Sequence, residues 1–405
     1  MAQCSTETLG LTRTDCKDVV ADFNGGELTS DAGALLLREA DSDLGLVDAL
    51  DSVIQDARDQ RYTTHEQNTL LSQRITSMDL GYEDLNDHNE MRKDPALKLA
   101  AERRPKERDL ASPSTLCRLE NRVDRESMWR MCEVLVDAFL ERHSVPPRRL
   151  ILDFDATDST VHGEQEKRFF DYYYDSYCFL PLYVFCGDAL LSAYLRPADR
   201  GASHHALAVL KMLVGKIREE WPDVQIIVRG DSGFCRWRTM RWCENHGVDY
   251  IFGIAKNDVL LDKSSHWLQE AREGYEKTGN KQRIFGEFRY AAGTWCRKRR
   301  VIAKAEHLPG KSNPRFVVTS LKGSPERLYK KVYCGRGEME NRIKEQQLGL
   351  FADRMSCSDF LSNQFRLLLA SAAYVLIEHM RNKFLAGTKL ANAQVSTIRT
   401  KLLKI

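Results

Sequence analysis

The 405-residue sequence has little net charge, no long apolar run and no paired cysteines. Its formal net charge is only +2, so a polyanion would have to be bound by local basic patches and not by the field of the whole protein. No apolar run reaches the ~18 residues that a membrane span requires. The start, Met1-Ala2-Gln3-Cys4, has no basic segment followed by an apolar one. We therefore expect neither a membrane span nor a signal peptide.

The 11 cysteines are scattered, and none forms the Cys-x2-Cys pair that would indicate a zinc site. Cys178, Cys186, Cys235 and Cys243 lie in apolar or aromatic runs, which favours packing as reduced thiols. Hydrophobic residues make up 42% of the chain, enough for two or three domains with a sizeable core. The expected compartment is the cytoplasm.

Residues 1–145 are predicted to be mainly helical. The first 25 or so are polar and predict loop or a short strand. Apolar residues at helical spacing then predict helices that begin near residues 34, 46, 64, 112 and 127, and Gly81 is a plausible C-cap of the third.

Two basic elements lie within that helical region. The run with Arg103 and Arg104 is either a loop that contacts DNA phosphates or a solvated charged turn. Residues 112–119 place hydroxyl groups before Arg118, which resembles the start of a DNA-recognition helix. A capped helix has the same pattern, so both interpretations stay open.

From residue 149 to 155, apolar and polar residues alternate and predict a strand with two different faces. A carboxylate at Asp155 inside a sheet costs free energy unless its charge is compensated, and a divalent metal ion is the compensation we expect. Asp153 faces the same way and is either a possible substitute ligand or a group that supports the ligands from behind. The alternative is that Asp155 or Asp158 caps the turn that follows.

The order of elements after this strand indicates the fold class. Two apolar runs flank Cys186-Gly187-Asp188, a hairpin signal, and a helix, a strand, a second helix and a further strand follow to residue 254. A hairpin beside crossover units predicts an α/β fold with a mixed sheet, in the order of the ribonuclease H-like fold. In that order Asp231 follows the fourth strand, at the edge where ligands gather in open α/β sheets, and Asp155 lies beside it.

We divide the rest of the chain by composition. Residues 146–257 form the first part of the predicted core, and residues 258–330 are expected to be a β-rich insertion. Within the insertion, Trp295 precedes the basic run Arg297, Lys298, Arg299 and Arg300. This run suits a nucleic-acid strand, or it protects an exposed edge strand.

Residues 331–385 supply the second part of the core and C-terminal helices. Tyr333, Arg336, Glu340 and Lys344 fall at i, i+3, i+7 and i+11, which is one stripe of a helix. The alternative is a surface helix with an Arg336–Glu340 pair that contributes only ~0.3–0.5 kcal/mol. The tail, 386–405, is basic, and it either touches DNA or frays.

Three motifs in this order resemble those of DDE transposases: Phe154-Asp155-Ala156-Thr157, Gly230-Asp231-Ser232-Gly233-Phe234, and Tyr333-x2-Arg336-x3-Glu340 with Lys344. The third is closest to bacterial insertion-sequence enzymes, and among them to the family named after insertion sequence thirteen-eighty. Residues 24–34, 81–87, 353–357 and 363–367 also resemble that family. One departure is that the superfamily often places its lysine farther beyond the glutamate than Lys344 lies.

The resemblance implies that Asp155, Asp231 and Glu340 hold two Mg²⁺ ions, for which Mn²⁺ can substitute. The residues expected to contact phosphates flanking the scissile bond are Tyr333, Arg336 and Lys344. The implied partners are transposon inverted repeats, bound by the helical N-terminal region, target DNA, and a second protomer in a homodimer. Related enzymes form a DNA hairpin with a flipped base, for which Trp295, or else Trp267, is the predicted pocket.

Rival interpretations use the same residues. A ribonuclease H-like nuclease or resolvase would need the metal site without strand transfer. A DNA-binding relative that has lost catalysis is less compatible with three acids in place. A repressor built on the N-terminal helices leaves the second half of the chain unexplained.

Overall fold

The computed structural model describes residues 9–14, 17–21 and 28–405. The helices are α1 (Ala34–Leu44), α2 (Leu46–Val53), α3 (Gln67–Leu80), α4 (His88–Met91), α5 (Pro95–Ala100), α6 (Pro113–Glu120), α7 (Arg125–Glu141), α8 (Ala206–Glu220), α9 (Trp237–Asn245), α10 (Asp258–Lys263), α11 (Ser265–Thr278), α12 (Pro325–Arg327), α13 (Gly337–Lys344), α14 (Phe360–Lys383) and α15 (Val395–Ile398).

The strands are β1 (Leu9–Thr14), β2 (Lys17–Ala21), β3 (Arg149–Ala156), β4 (Ser159–Thr160), β5 (Phe169–Asp171), β6 (Ser176–Phe179), β7 (Leu182–Cys186), β8 (Ala189–Tyr194), β9 (Gln225–Gly230), β10 (Asp249–Ile254), β11 (Gln282–Tyr290), β12 (Arg299–Leu308), β13 (Lys311–Ser312) and β14 (Arg315–Thr319). β1 and β2 pair as an antiparallel hairpin. Residues 24–27, the start of one family-like run, lie outside the described residues.

The predicted helices of the N-terminal region are present, and they pack around α14. Gly81 ends α3 in the left-handed conformation, as expected of a C-cap. Almost every side chain of α14 is buried, and α1, α3, α6, α7 and β8 contact it. Helices α1 to α7 and α14 therefore share one apolar core.

Among the described residues, α14 alone is long and apolar enough to cross a membrane by length and composition. Its most apolar window is 94% buried within the protein, so α14 is a core helix.

The main sheet is mixed, with the strand order β11-β12-β14-β10-β9-β3-β7-β8 and with β13 paired to β12. β3, β9 and β10 are parallel neighbours, whereas β7 is antiparallel to β3 and β8 to β7. The predicted hairpin turns at Gly187, which has a φ of +62°. On β3, Leu150, Leu152 and Phe154 face the core that contains α8 and α9, so Asp153 and Asp155 face the opposite side.

The segment 258–330 differs from the β-rich insertion that we expected. It begins with α10 and α11, and its long strands β11, β12 and β14 extend the main sheet beyond β10. The strands were recognised, but short alternating runs do not encode which sheet they join.

Residues 325–349 form one continuous helical stretch, called here the third-motif helix. It consists of α12, a π-helical turn (Leu328–Tyr333), a 3₁₀ turn (Cys334–Arg336), α13 and a second π-helical turn (Glu345–Gly349). The predicted helix is therefore present, but its stripe is not that of a regular α-helix. Such π-helical turns are frequent at functional sites.

The basic tail does not fray. Val395, Ile398 and Leu403 are fully buried, and the N–H of Gly33 donates to the carbonyl oxygen of Leu403 at 3.2 Å. Arg399 donates to backbone carbonyls of α3 and of the third-motif helix. The C-terminal segment therefore joins these two parts of the chain, although Lys389 and Lys401 remain exposed.

Replacement of Gly33 by Ala tests this junction. An added Cβ would lie 2.3 Å from Cα of Leu403, and a backbone atom cannot rotate away. We expect Gly33→Ala to lower the free energy of unfolding by ~1–3 kcal/mol in urea denaturation. The control is Gly215→Ala in α8, where an added Cβ meets open space and helix propensity favours Ala. Equal free energies of unfolding for the two variants would show that the C-terminal segment does not pack tightly against Gly33.

Candidate active site

Two of the predicted acids lie side by side at the carboxyl end of the parallel strands. Phe154 of β3 and Gly230 of β9 are register partners, so the next residues, Asp155 and Asp231, emerge from the same edge of the sheet. The Asp155 side chain is only 13% exposed. Asp231 precedes a 3₁₀ turn and accepts a hydrogen bond from the N–H of Gly233 at 2.8 Å.

The third-motif helix brings Tyr333, Arg336 and Glu340 to that edge. An added Cβ on Gly253, near the end of β10, would lie 2.6 Å from the Tyr333 hydroxyl oxygen and 3.1 Å from the nitrogen of Ser232. The Tyr333 hydroxyl therefore lies next to the residue that follows Asp231.

Arg336 lies between the first and the third acid. Its Nη2 is 3.9 Å from Oδ2 of Asp155 and 3.9 Å from Oε1 of Glu340. These distances allow electrostatic attraction but exceed those of a direct hydrogen bond. Nη1 of Arg336 is buried without a hydrogen-bond partner among the described residues. The guanidinium thus supplies positive charge between two carboxylates and keeps unused donors.

The charges of these groups are coupled. Burial raises the pKa of Asp155 to about 6, and the nearby Asp231 and Glu340 carboxylates act in the same direction. The Arg336 guanidinium opposes that rise. Burial also raises the pKa of Tyr333; Arg336 opposes that shift, and Asp231 reinforces it. A buried carboxyl group with a raised pKa beside further acids is typical of functional sites.

The three acids do not form a compact metal site. Within the described part of the chain there is no group of three or more His, Cys, Asp or Glu side chains close enough to hold a metal ion. The donor set nevertheless suits a hard cation, since all three groups are carboxylates and the Asp155 charge is only partly compensated. An ion would take over the electrostatic role that Arg336 has here.

Asp153 is not free to serve as a substitute ligand. Its two carboxylate oxygens accept hydrogen bonds from Nε and Nη2 of Arg229, and both side chains are buried. The role of Arg229 was not predicted from the sequence. The signal was present, because Arg229 and Asp153 each precede a predicted acid by two residues, which places them on the same face.

Lys344 is the last residue of α13 and is exposed. In this position it can be reached by a bound polyanion from solvent.

The basic run of the 258–330 segment lies near the opposite ends of the parallel strands from the three acids. Arg299 is level with Tyr250, at the start of β10, whereas the acids follow the ends of β3 and β9. The separation is about 10 Å along the strands and about 14 Å across them. Arg299 and Arg297 pair with Glu244, and Arg300 pairs with Glu287.

The two candidate tryptophans are both engaged in packing. Trp295 packs edge-on against Tyr290, 5.5 Å between ring centroids, at the end of the sheet opposite the acids. Trp267 lies directly over Gly286, whose added Cβ would be 2.1 Å from the indole ring. This geometry does not favour either ring as a pocket for a base next to the acids of the same chain.

The basic residues of the N-terminal region lie on its surface. Arg103 and Arg104 approach Glu107 at 4.0 and 3.9 Å, and Arg118 is exposed on α6. α6 is fixed to the core by Glu120, which is buried and paired with Arg74 at 2.9 Å. Arg118 therefore projects from a rigid helix.

A family model described as transposase DDE domain, group 1, matches residues 11–405. The chain belongs to this transposase family. The match spans β3, β9 and the third-motif helix, and therefore all three acids of this DDE-domain transposase. No curated protein matches the chain.

Among solved structures, the transposase is similar to a piggyBac transposase in a synaptic complex with hairpin DNA. The identity is 10% and the TM-score 0.42, over 94% of this chain and 82% of that one.

Replacement of Asp155 by Asn tests the electrostatic cost of the site. At pH 7.5 without metal, Asp155 is ionised although burial raises its pKa to about 6, so we expect Asp155→Asn to stabilise the protein by about 3 kcal/mol. Because the folded-state pKa of Asp155 is raised, the free energy of unfolding of the wild type falls as pH rises from about 4 through about 6. The variant has no carboxyl group at residue 155, so its free energy of unfolding should not show this contribution. Urea denaturation at several pH values measures the difference in stability at pH 7.5 and the pH dependence of each protein.

The control for this experiment is Asp223→Asn at an exposed position, which should change stability little. A variant at residue 155 that is no more stable than wild type at pH 7.5 would show that the acids do not destabilise the fold.

Proposed function

We propose that the chain is the transposase of a bacterial insertion sequence of the thirteen-eighty family. It binds the terminal inverted repeats, cleaves the transposon ends by metal-dependent phosphodiester hydrolysis, and joins the freed 3′-hydroxyl to target DNA. The observation that carries this proposal is the meeting of Asp155, Glu340 and Arg336, with Asp231 beside them, at one edge of the sheet. Membership of a DDE transposase family agrees with it.

The topology supports a ribonuclease H-like core. From β8 through β7, β3 and β9 to β10, two antiparallel pairings are followed by two parallel ones, with α8 and α9 as the crossovers. This is the arrangement that the sequence order predicts for that fold. It places the strand ends that bear acids next to each other, where a scissile phosphate can reach both.

Asp155, Asp231 and Glu340 would hold two Mg²⁺ ions or Mn²⁺ in their place. When bound, such a pair supplies activation of a water or 3′-hydroxyl and stabilisation of the leaving oxygen. The Arg336 guanidinium, whose Nη1 has no hydrogen-bond partner among the described residues, would donate to phosphate oxygens. Tyr333 would orient a phosphate through its hydroxyl, and Lys344 would bind a flanking phosphate as a point charge.

DNA contacts are proposed on two further surfaces. A cleft of about 450 Å³ is lined by Arg289, Arg297, Lys298, Arg300 and Lys322, and its excess positive charge suits phosphate groups that lie away from the scissile bond. On the N-terminal region, Arg103, Arg104 and Arg118 would contact the inverted repeats. Since two ends must be joined in one event, two protomers act together as a homodimer on DNA.

The proposal is tested with linear DNA that ends in the inverted repeats flanking the coding sequence, in the presence of Mg²⁺. We expect Asp155→Asn, Asp231→Asn and Glu340→Gln each to lower the cleavage rate at least about a thousandfold, with DNA affinity retained, because each removes a metal ligand. The control is Glu338→Gln, an exposed acid on the same turn of α13, which should cleave normally.

A second arm uses precleaved ends and a target plasmid. Joining of the 3′-hydroxyl to the plasmid is expected of a transposase. Cleavage without joining would identify a nuclease or resolvase, and cleavage that survives all three substitutions would overturn the assignment of the acids.

A further inference from the structure

Beneath the two sheet acids lies a buried ion pair, Asp153 with Arg229, which are register partners on β3 and β9. The side chains are 6% and 8% exposed, and the guanidinium binds both carboxylate oxygens. A bidentate pair fixes the orientation of the guanidinium, since its planar fork matches the carboxylate in one arrangement only.

The remaining terminal nitrogen of Arg229 reaches the third-motif helix. Its Nη1 donates to the carbonyl oxygen of Val332, the residue before Tyr333, where the π-helical turn leads into the 3₁₀ turn. An added Cβ on Gly335 would lie 2.8 Å from the same nitrogen. The close approach of sheet and helix at this point therefore depends on the absence of a side chain at residue 335.

The position of this contact relates the two halves of the site. Asp153 and Arg229 each precede an acid of the sheet by two residues, which is about 7 Å along a strand. Val332 precedes Tyr333, Arg336 and Glu340 on the helix. One side chain thus links the strand ends that bear Asp155 and Asp231 to the element that bears the third acid.

We propose that Arg229, oriented by Asp153, is the positioning residue that sets the distance between the third-motif helix and the two acids of the sheet. It touches neither substrate nor metal. The effect of this positioning on catalysis rests on the proposed function, because the spacing of the three acids affects a cleavage rate only if these acids carry out the cleavage. A misplacement of about 1 Å in such a site can cost 10²-fold in rate.

The alternative is that the ion pair only stabilises the fold and does not position the helix. Two sets of variants separate these two roles. In the first, Asp153→Leu and Arg229→Met are combined, because a buried ion pair replaced by apolar residues of similar size often keeps the fold stable. In the second, Gly335→Ala keeps both charged side chains and places a Cβ 2.8 Å from Nη1 of Arg229, the nitrogen that contacts the helix. Its control is Gly337→Ala, two residues away, where an added Cβ meets open space.

Two readouts are used on the full chain. Amide hydrogen exchange of residues 328–344 reports whether the helix leaves the sheet, and it needs neither DNA nor metal. Cleavage of end DNA under single turnover and DNA affinity report the effect on function. We expect the double variant and Gly335→Ala to exchange at least about tenfold faster in this helix and to cleave about 10²-fold more slowly, with affinity changed less than about threefold. Gly337→Ala should match wild type.

Wild-type exchange in the helix of a folded double variant would overturn the proposal, as would wild-type cleavage. If the double variant does not fold, Gly335→Ala alone tests the proposal, and wild-type exchange in the helix or wild-type cleavage by this variant overturns it. If the wild-type protein cleaves no end DNA, the proposed function fails, whereas unaltered exchange in Gly335→Ala is the result that refutes the positioning role.

Discussion

Burial of a carboxylate beside two others at one sheet edge is the constraint on which the site depends. Asp155 is buried, and Asp231 and Glu340 raise its pKa further, so the folded chain carries an electrostatic cost at neutral pH. Arg336 offsets part of that cost from 3.9 Å, too far to neutralise either carboxylate by a hydrogen bond. Such an arrangement lowers the stability of the fold, and under the proposed function a bound divalent cation would offset that cost.

The acids come from two scaffolds of different regularity. Asp155 lies near the end of β3 and Asp231 directly follows β9, in the middle of a wide sheet that α8 and α9 cover on one face. Glu340 lies on a helix whose winding changes four times between Pro325 and Gly349. A helix of that kind cannot place a side chain by its own regularity. Its position is set by contacts at both ends: Arg229 at Val332, and the buried Glu345, which pairs with Arg381 of α14.

Much of this could be predicted from the sequence, because it depends on local pattern. The alternation around Asp155, the strand before Asp231 and the apolar run of α14 each specify an element and its exposed or buried face. Contacts between distant segments could not be predicted in this way. Nothing in the run around Trp295 shows that β12 lies three strands from β9, so the distance between these basic residues and the acids could not be predicted from the sequence. The buried C-terminal segment was likewise hidden, because Val395, Ile398 and Leu403 form too short a run to indicate a packed helix.

The packing of α1, α3, α6 and α7 around α14 has a consequence for how the protein is made. A ribosome delivers these helices long before α14, and until then their apolar faces have no permanent partner. The third acid and the segment that closes against Gly33 also emerge late. A nascent chain therefore exposes the apolar faces of these helices until α14 is made. Under the proposed function, a product that ends before residue 340 would also lack the third acid and could not cleave DNA.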